Sequence, residues 1–233
     1  MRIVNLHVTS VNFNIHFVMS TRKPAPARAA ATRQGYHHGD LKNALQAAAS
    51  ELLAQRGAEA VSLREISLAA GVSHAAAYRH YADKQALLAD LAEAGFRDLA
   101  GINRQVTAAT RGGPLEQLKA CGRAYVEFGV RQPHLLQLMF GGVITGWESH
   151  AGLAEASGQL AETLAGIVAS GQASGDIRAG DVGDLTLCAW SLVHGLALLI
   201  VGRRIPGMRM DAAFVKHAAA QCTTLLIEGL RAR

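Results

Sequence analysis

Between Arg64 and Lys84 the chain collects hydrogen-bonding and cationic side chains at helical spacing: Arg64, then Ser73, His74, Tyr78, Arg79, His80 and Lys84, with the small Ala75 among them. In a short helix after Ser73, the residues His74, Ala75, Tyr78 and Arg79 look outward, while Ala77 and Tyr81, four apart, face inward. An outward face that is small, aromatic and basic suits a helix laid into a DNA major groove. An arginine there donates two parallel hydrogen bonds to one guanine, worth about 1–3 kcal/mol of discrimination against other bases. Arg64 and Arg79 are the candidates for that contact.

Other chemistries find less support. The histidines His37, His38, His80, His134, His150, His194 and His217 are scattered, without the i, i+4 pair plus acid expected of a metal-binding helix. Cys121, Cys188 and His194 supply a nucleophile and a base by residue type, but no motif ties them together. Cys188 reads instead as a buried small hydrophobe and His194 as a hydrogen-bonded core histidine. No glycine-rich phosphate loop stands at the end of a strand. The sequence thus predicts no catalytic residue, no metal and no cofactor. The three cysteines, outside any ligand spacing, fit a reduced compartment, and the expected location is the cytoplasm.

Helices must position the basic cluster, and their ends are legible. Ser62 and Glu65 form a capping-box signal that starts a helix at Leu63, expected to bury Leu63, Ile66 and Ala70. Gly71 stops it, Val72 plugs the corner and Ser73 caps the next helix. Ahead of this pair, Asp40 to Arg56 carries an apolar stripe of Leu41, Leu45, Ala48 and Leu52, ended by Gly57. Behind it, Asp83 caps a long helix from Lys84 to about Ala108.

Gly112-Gly113-Pro114 is a clear break, after which helices are expected over 115–131, 133–140, about 147–170, 181–202 and 211–231. Half of the residues are apolar and only 5% aromatic, a composition that favours packed helices. The net charge of +5 is uneven. From Gly112 onward ten Lys/Arg balance ten Asp/Glu, whereas Met19 to Arg111 holds twelve against eight. The excess sits with the cluster that needs it for phosphate contact.

Residues 1–39 read as a disordered extension and basic arm. Met1 to Val18 alternates apolar and polar residues like a strand but shows no obvious partner, and Met19 is a candidate true start. The arm that follows carries Arg22, Lys23, Arg28 and Arg33 and is suited to tracking phosphates or entering a minor groove. Leu185 to Val201 is uncharged and approaches the length of a membrane span. His194 interrupts it and the helix after it is amphipathic, offering Ala212, Val215, Ala219, Cys222, Leu226 and Leu230. The two are therefore expected to form a dimerisation pair, completed into four helices by a symmetry mate, with no membrane partner.

The stretch LREISLAAGVSHAAAYRHYADKQALL, preceded by a helix ending in QRG, resembles the DNA-binding domain of TetR-type (TetR/AcrR) transcriptional regulators over about Asp40 to Leu88. Trp190, His194 and Gly195, in WSLVHG, are similar to the signature of the WHG-type C-terminal domain found in part of that family. The resemblance implies an all-α fold: a three-helix helix-turn-helix domain at 40–84, and a larger helical bundle at 85–233 for ligand binding and dimerisation. It implies a homodimer on a near-palindromic double-stranded DNA operator, a repressor released by a small molecule. An activator or a ligand-independent DNA binder is the alternative within regulation, and an intracellular helical small-molecule-binding protein or enzyme the alternative outside it. By the same resemblance Tyr78, His80 and Lys84 align with positions that contact phosphate, and Arg64, His74, Ala75 and Arg79 with positions that reach bases. The chain departs at Ala75-Ala76, where glycine and threonine are common, so a phosphate-holding hydroxyl is missing and two methyls are offered to thymine instead. Tyr125, Phe128, Met139, Phe140, Trp147 and Trp190, with His194 as polar anchor, are the candidates to line a pocket for a largely apolar effector, and simple core packing is the other reading of each, favoured for the aromatics.

Overall fold

A computed structural model of the chain describes residues 7–8, 11–12, 38–203, 207 and 210–232. The basic arm and the question of a start at Met19 lie outside the described residues. Within the first segment, β1 (His7–Val8) pairs antiparallel with β2 (Val11–Asn12), His7 opposite Asn12 and Val8 opposite Val11. The alternating pattern finds its partner inside the same segment, where none was expected.

From residue 38 the fold is all-α. Its helices are α1 (His38–Arg56), α2 (Leu63–Ala69), α3 (His74–Tyr78), α4 (Lys84–Ala109), α5 (Pro114–Arg131), α6 (Pro133–Phe140), α7 (Ala151–Ala173), α8 (Val182–Val201) and α9 (Ala212–Leu230). The only other pairing among the described residues is an isolated bridge from Ile177 to Arg231. Asp83, Asp181 and Asp211 each accept a backbone N–H at the start of α4, α8 and α9. These caps satisfy donors that a helix start leaves open.

Several expected details shift. Helix α1 begins at His38 rather than Asp40, and Leu53 and Ala49 are buried, whereas Leu52 is only partly covered. In α2 the third buried residue is Ser67, not Ala70, because its hydroxyl donates to Leu63 O at 2.7 Å and so enters the core satisfied. The helix expected from Trp147 is broken: Gly146 takes a left-handed φ of 63°, Trp147–Ser149 forms a 3-10 turn, and α7 starts at Ala151. Cys188 is exposed on α8 rather than buried, while Cys121 takes the buried position.

Helix α5 is the centre of the larger bundle, packing against α4, α6, α7, α8 and α9. Gly122 makes this possible: a Cβ there would meet Thr223 Cγ2 at 2.8 Å and Val193 Cγ1 at 3.1 Å, so only glycine lets α8 and α9 approach so closely. Helix α4 spans roughly 39 Å at 1.5 Å per residue, burying Leu87, Leu88, Leu91, Phe96, Leu99 and Val106 along one side. At the junction where α4 begins, at Lys84, the hydrophobic core is continuous, running from Leu41 on α1 to Ala219 on α9.

Two sets of hydrogen bonds reinforce that junction. Ser50 Oγ on α1 and His134 Nε2 on α6 lie 3.0 Å apart. Gln85, in the first turn of α4, donates to Val143 O at 3.3 Å and accepts from Thr145 N at 3.1 Å. Helix α6 and the loop after it are thereby latched to the first four helices.

Candidate nucleic-acid interface and inner cavity

Helix α3 is held by what it hides. Ala76 and Ala77 are buried and Tyr81, just beyond the helix, is 3% exposed. The Tyr81 hydroxyl donates to Asp90 Oδ2 at 3.1 Å, and Lys42 Nζ reaches the same oxygen at 2.6 Å. One carboxylate on α4 therefore ties α1 to the chain leaving α3. Burial first, and then Asp90, push the Tyr81 hydroxyl well above the usual phenol range, so it stays a donor.

The helix in front is fixed as firmly. Ser62 Oγ accepts from Glu65 N at 3.2 Å while Ser62 N donates to Glu65 Oε2 at 2.9 Å, which is the reciprocal capping box. Arg56 pairs with Glu65 Oε1 at 2.8 Å. The hydrogen bond from Ser62, then that from Arg56, hold the Glu65 carboxyl at about 2. Gly71 turns the chain with φ of 69°, a conformation that suits glycine. Ser73 then caps α3, its hydroxyl accepting Ala76 N at 3.2 Å. That hydroxyl is spent on positioning the helix.

The remaining predicted residues present themselves to solvent. Arg64, His74, Ala75 and Arg79 are exposed, and Tyr78 is 49% exposed. The rings of His74 and Tyr78 meet edge to face, centroids 4.6 Å apart, which stiffens the pair. His80 is half-buried, and Lys84 Nζ donates to Ala58 O at 3.2 Å, so Lys84 braces the loop after α1. Ala75 and Ala76 separate: Ala76 is in the core, which leaves the methyl of Ala75 alone for a thymine contact. Leu68, 81% exposed and one helical turn after Arg64, was not anticipated. A large apolar residue facing solvent on so short a helix was the available signal.

In the larger bundle, aromatic residues expected to line a pocket stack on one another. Phe140 lies 5.1 Å from Phe96, 5.4 Å from Trp190 and 4.9 Å from His194, centroid to centroid, and Trp147 lies 5.7 Å from Phe96. Tyr125 joins them through a 2.6 Å hydrogen bond between its hydroxyl and His194 Nδ1. Phe128 and Met139 are each 1% exposed in the core. A small cavity of about 30 Å³ lies beside this cluster, lined by Tyr125 and Trp190 together with Asn103, Cys121, Thr186 and mostly apolar neighbours. Sequence reasoning missed Asn103. Its place on the apolar stripe of α4, between Leu99 and Val106, was the signal.

Burial holds both His134 and His194 below the usual histidine range of 6.5. The folded chain favours neutral rings, so the unfolded chain binds protons first as pH falls. Stability should therefore be complete above about pH 6.5 and decline below it. Thermal unfolding between pH 7.5 and 5.5 checks this: the midpoint should fall with acidification, and His194→Gln should flatten the decline.

The matched families follow this geometry. Residues 45–91 match the model of bacterial regulatory proteins of the tetR family. Residues 118–222 match that of the tetracyclin repressor-like C-terminal domain. No curated protein matches the sequence. Among solved structures, a protein of unknown function from Rhodococcus sp. RHA1 is 32% identical, with a TM-score of 0.72 over 85% of this chain and 100% of that one. A tetR-family bacterial regulatory protein from Rhodococcus RHA1 is 19% identical, with a TM-score of 0.66 over 83% and 98%. The fatty acid degradation regulator FadR from Bacillus halodurans is 16% identical, with a TM-score of 0.67 over 87% and 100%.

Proposed function

Because this chain belongs to the tetR family of bacterial regulatory proteins, and so is a DNA-binding transcriptional regulator and not an enzyme, we propose that it acts as a homodimeric repressor released from its operator by a small molecule. The observation that carries the reading is the division of labour on α3, whose Ala76 and Ala77 are buried while His74, Ala75 and Tyr78, with Arg79 at the C-cap, face out. That face enters a major groove, with Arg79 and Arg64 reaching bases and Tyr78, His80 and Lys84 meeting phosphates. Ser73 contributes by fixing the helix start. The protein works in the cytoplasm, bound to the nucleoid when on DNA.

The dimer is supported by α8 and α9. Leu187, Leu192, Leu198 and Leu199 on α8 and Leu225 on α9 are all exposed, between 41% and 65%. Helix α8 is long and apolar enough to cross a membrane by length and composition, and 28% of its most apolar window is buried. A second copy related by a two-fold axis covers this apolar surface and presents the α3 helices to successive grooves, roughly 34 Å apart. Effector binding favours a spacing that no longer matches them.

Gel-shift titration with DNA flanking the coding region, at two salt concentrations, tests the reading. Lys84→Ala should weaken binding to all sequences alike and reduce the salt slope by about one. Arg79→Ala should cost about 1–3 kcal/mol and relax preference at one base position. No shift at low salt, or a shift equally strong on unrelated DNA, would overturn the proposal.

A further inference from the structure

The polar atoms around the inner cavity are almost all spoken for. Thr186 Oγ1 donates to Val182 O at 2.7 Å, and the Tyr125 hydroxyl is shared with His194. The Cys121 thiol lies 3.4 Å from Thr107 Oγ1. Asn103 is the exception: the residue is 2% exposed, lines the cavity, and its Oδ1 has no hydrogen-bond partner among the described residues. Leaving a buried acceptor unmatched is costly, and native proteins rarely do so without a reason.

The rest of the lining narrows what can answer it. No lining residue carries a charge, and Leu118, Leu164, Val168, Ala189, Val193 and Leu226 make most of the wall. An ionised guest would lose its hydration with no counter-charge to meet it. A guest with an apolar body and one N–H or O–H fits better, because the wall accepts the body and Asn103 Oδ1 accepts a hydrogen bond that replaces the one lost to water. At about 30 Å³ the cavity holds a water or two, so a larger guest seats by parting its walls. Of the lining residues, Asn103 belongs to α4 and Trp190 and Thr186 belong to α8.

We propose that this cavity binds a small, uncharged, largely apolar molecule carrying a hydrogen-bond donor, of the phenol or short-alcohol class, with Asn103 as its polar anchor. The inference rests on the reading of the chain as an effector-answering regulator and supplies the chemical class of that effector.

Phenol, anisole and toluene are the probes, because they share a ring while offering a donor, an acceptor only, and neither. Calorimetric titration of the full-length protein should rank phenol about tenfold above the other two, the worth of one buried hydrogen bond. In Asn103→Leu that preference should vanish or reverse. The wild-type ranking stands as a test even if the variant folds poorly. Equal binding of the three probes, a preference that survives Asn103→Leu, or no binding at all overturns the inference. Gel shifts run in parallel separate it from the regulator reading. Asn103-dependent phenol binding that leaves the DNA complex intact upholds the site and removes effector release. Absence of phenol binding by a chain that still shifts its DNA removes the site and leaves the regulator.

Discussion

A chain carrying Leu192→Asp together with Leu199→Asp should sediment as a monomer and lose operator affinity by about 10²–10⁴-fold. The two leucines lie two turns apart on α8, 44% and 46% exposed in the isolated chain. Burying a leucine fully is worth about 1.5–3 kcal/mol, and an aspartate in its place would have to enter the interface unpaired. The loss on DNA follows from geometry rather than from any contact with it. One α3 offers a single groove's worth of contacts, and linking two copies turns the second binding event into an intramolecular one. Since both positions face away from the core of the single chain, the monomer should keep its helical content and its thermal transition. Sedimentation velocity with circular dichroism checks the pair of outcomes. A variant that stays dimeric would move the interface elsewhere, and one that partitions onto lipid vesicles would assign the apolar face of α8 to a membrane.

Phe128→Ala should destabilise the chain by about 3–5 kcal/mol, lowering the unfolding midpoint by roughly 10 °C. Phe128 is among the largest fully buried side chains and sits on α5, around which the larger bundle is assembled. Truncation would open a void in a closely packed stretch, where Gly129 beside it already lets Leu136 and Ala197 come close. The measurement also sorts two roles proposed for this ring. A cost below about 1 kcal/mol is what a ligand-facing aromatic would show, and it would return Phe128 to the pocket. The full cost assigns it to the core.

The elements around α3 were legible because their signals are local. Ser62 with Glu65, Gly71, Ser73 and Asp83 act over three or four residues, and each stands where the spacing put it. The burial of Ala77 and Tyr81 followed from helical periodicity alone. What the sequence hid depends on distant partners. That Lys84 reaches Ala58, or that Asp90 gathers Tyr81 and Lys42, requires knowing how α1 and α4 cross. Periodicity could not tell Ala70 from Ser67 either, since a serine whose hydroxyl bonds one turn back is as buriable as an alanine. For the cavity the limit was sharper. An aromatic residue near a pocket and one in a core have the same pattern, so residue type pointed to Phe140 and Trp147, which stack on their neighbours. The unmatched atom, Asn103 Oδ1, was hidden behind a residue type that looked like an ordinary interruption.

The anchoring of α3 by Ala76, Ala77 and Tyr81 leaves its outward positions with few duties toward the fold. Mutations at His74, Ala75 or Arg79 can therefore accumulate in a duplicated gene without first eroding the stability that keeps the product alive. On the proposed reading, two descendants of such a chain can part company over which promoters they govern while still answering the same chemical, and a change of chemical can be explored separately, some helices away.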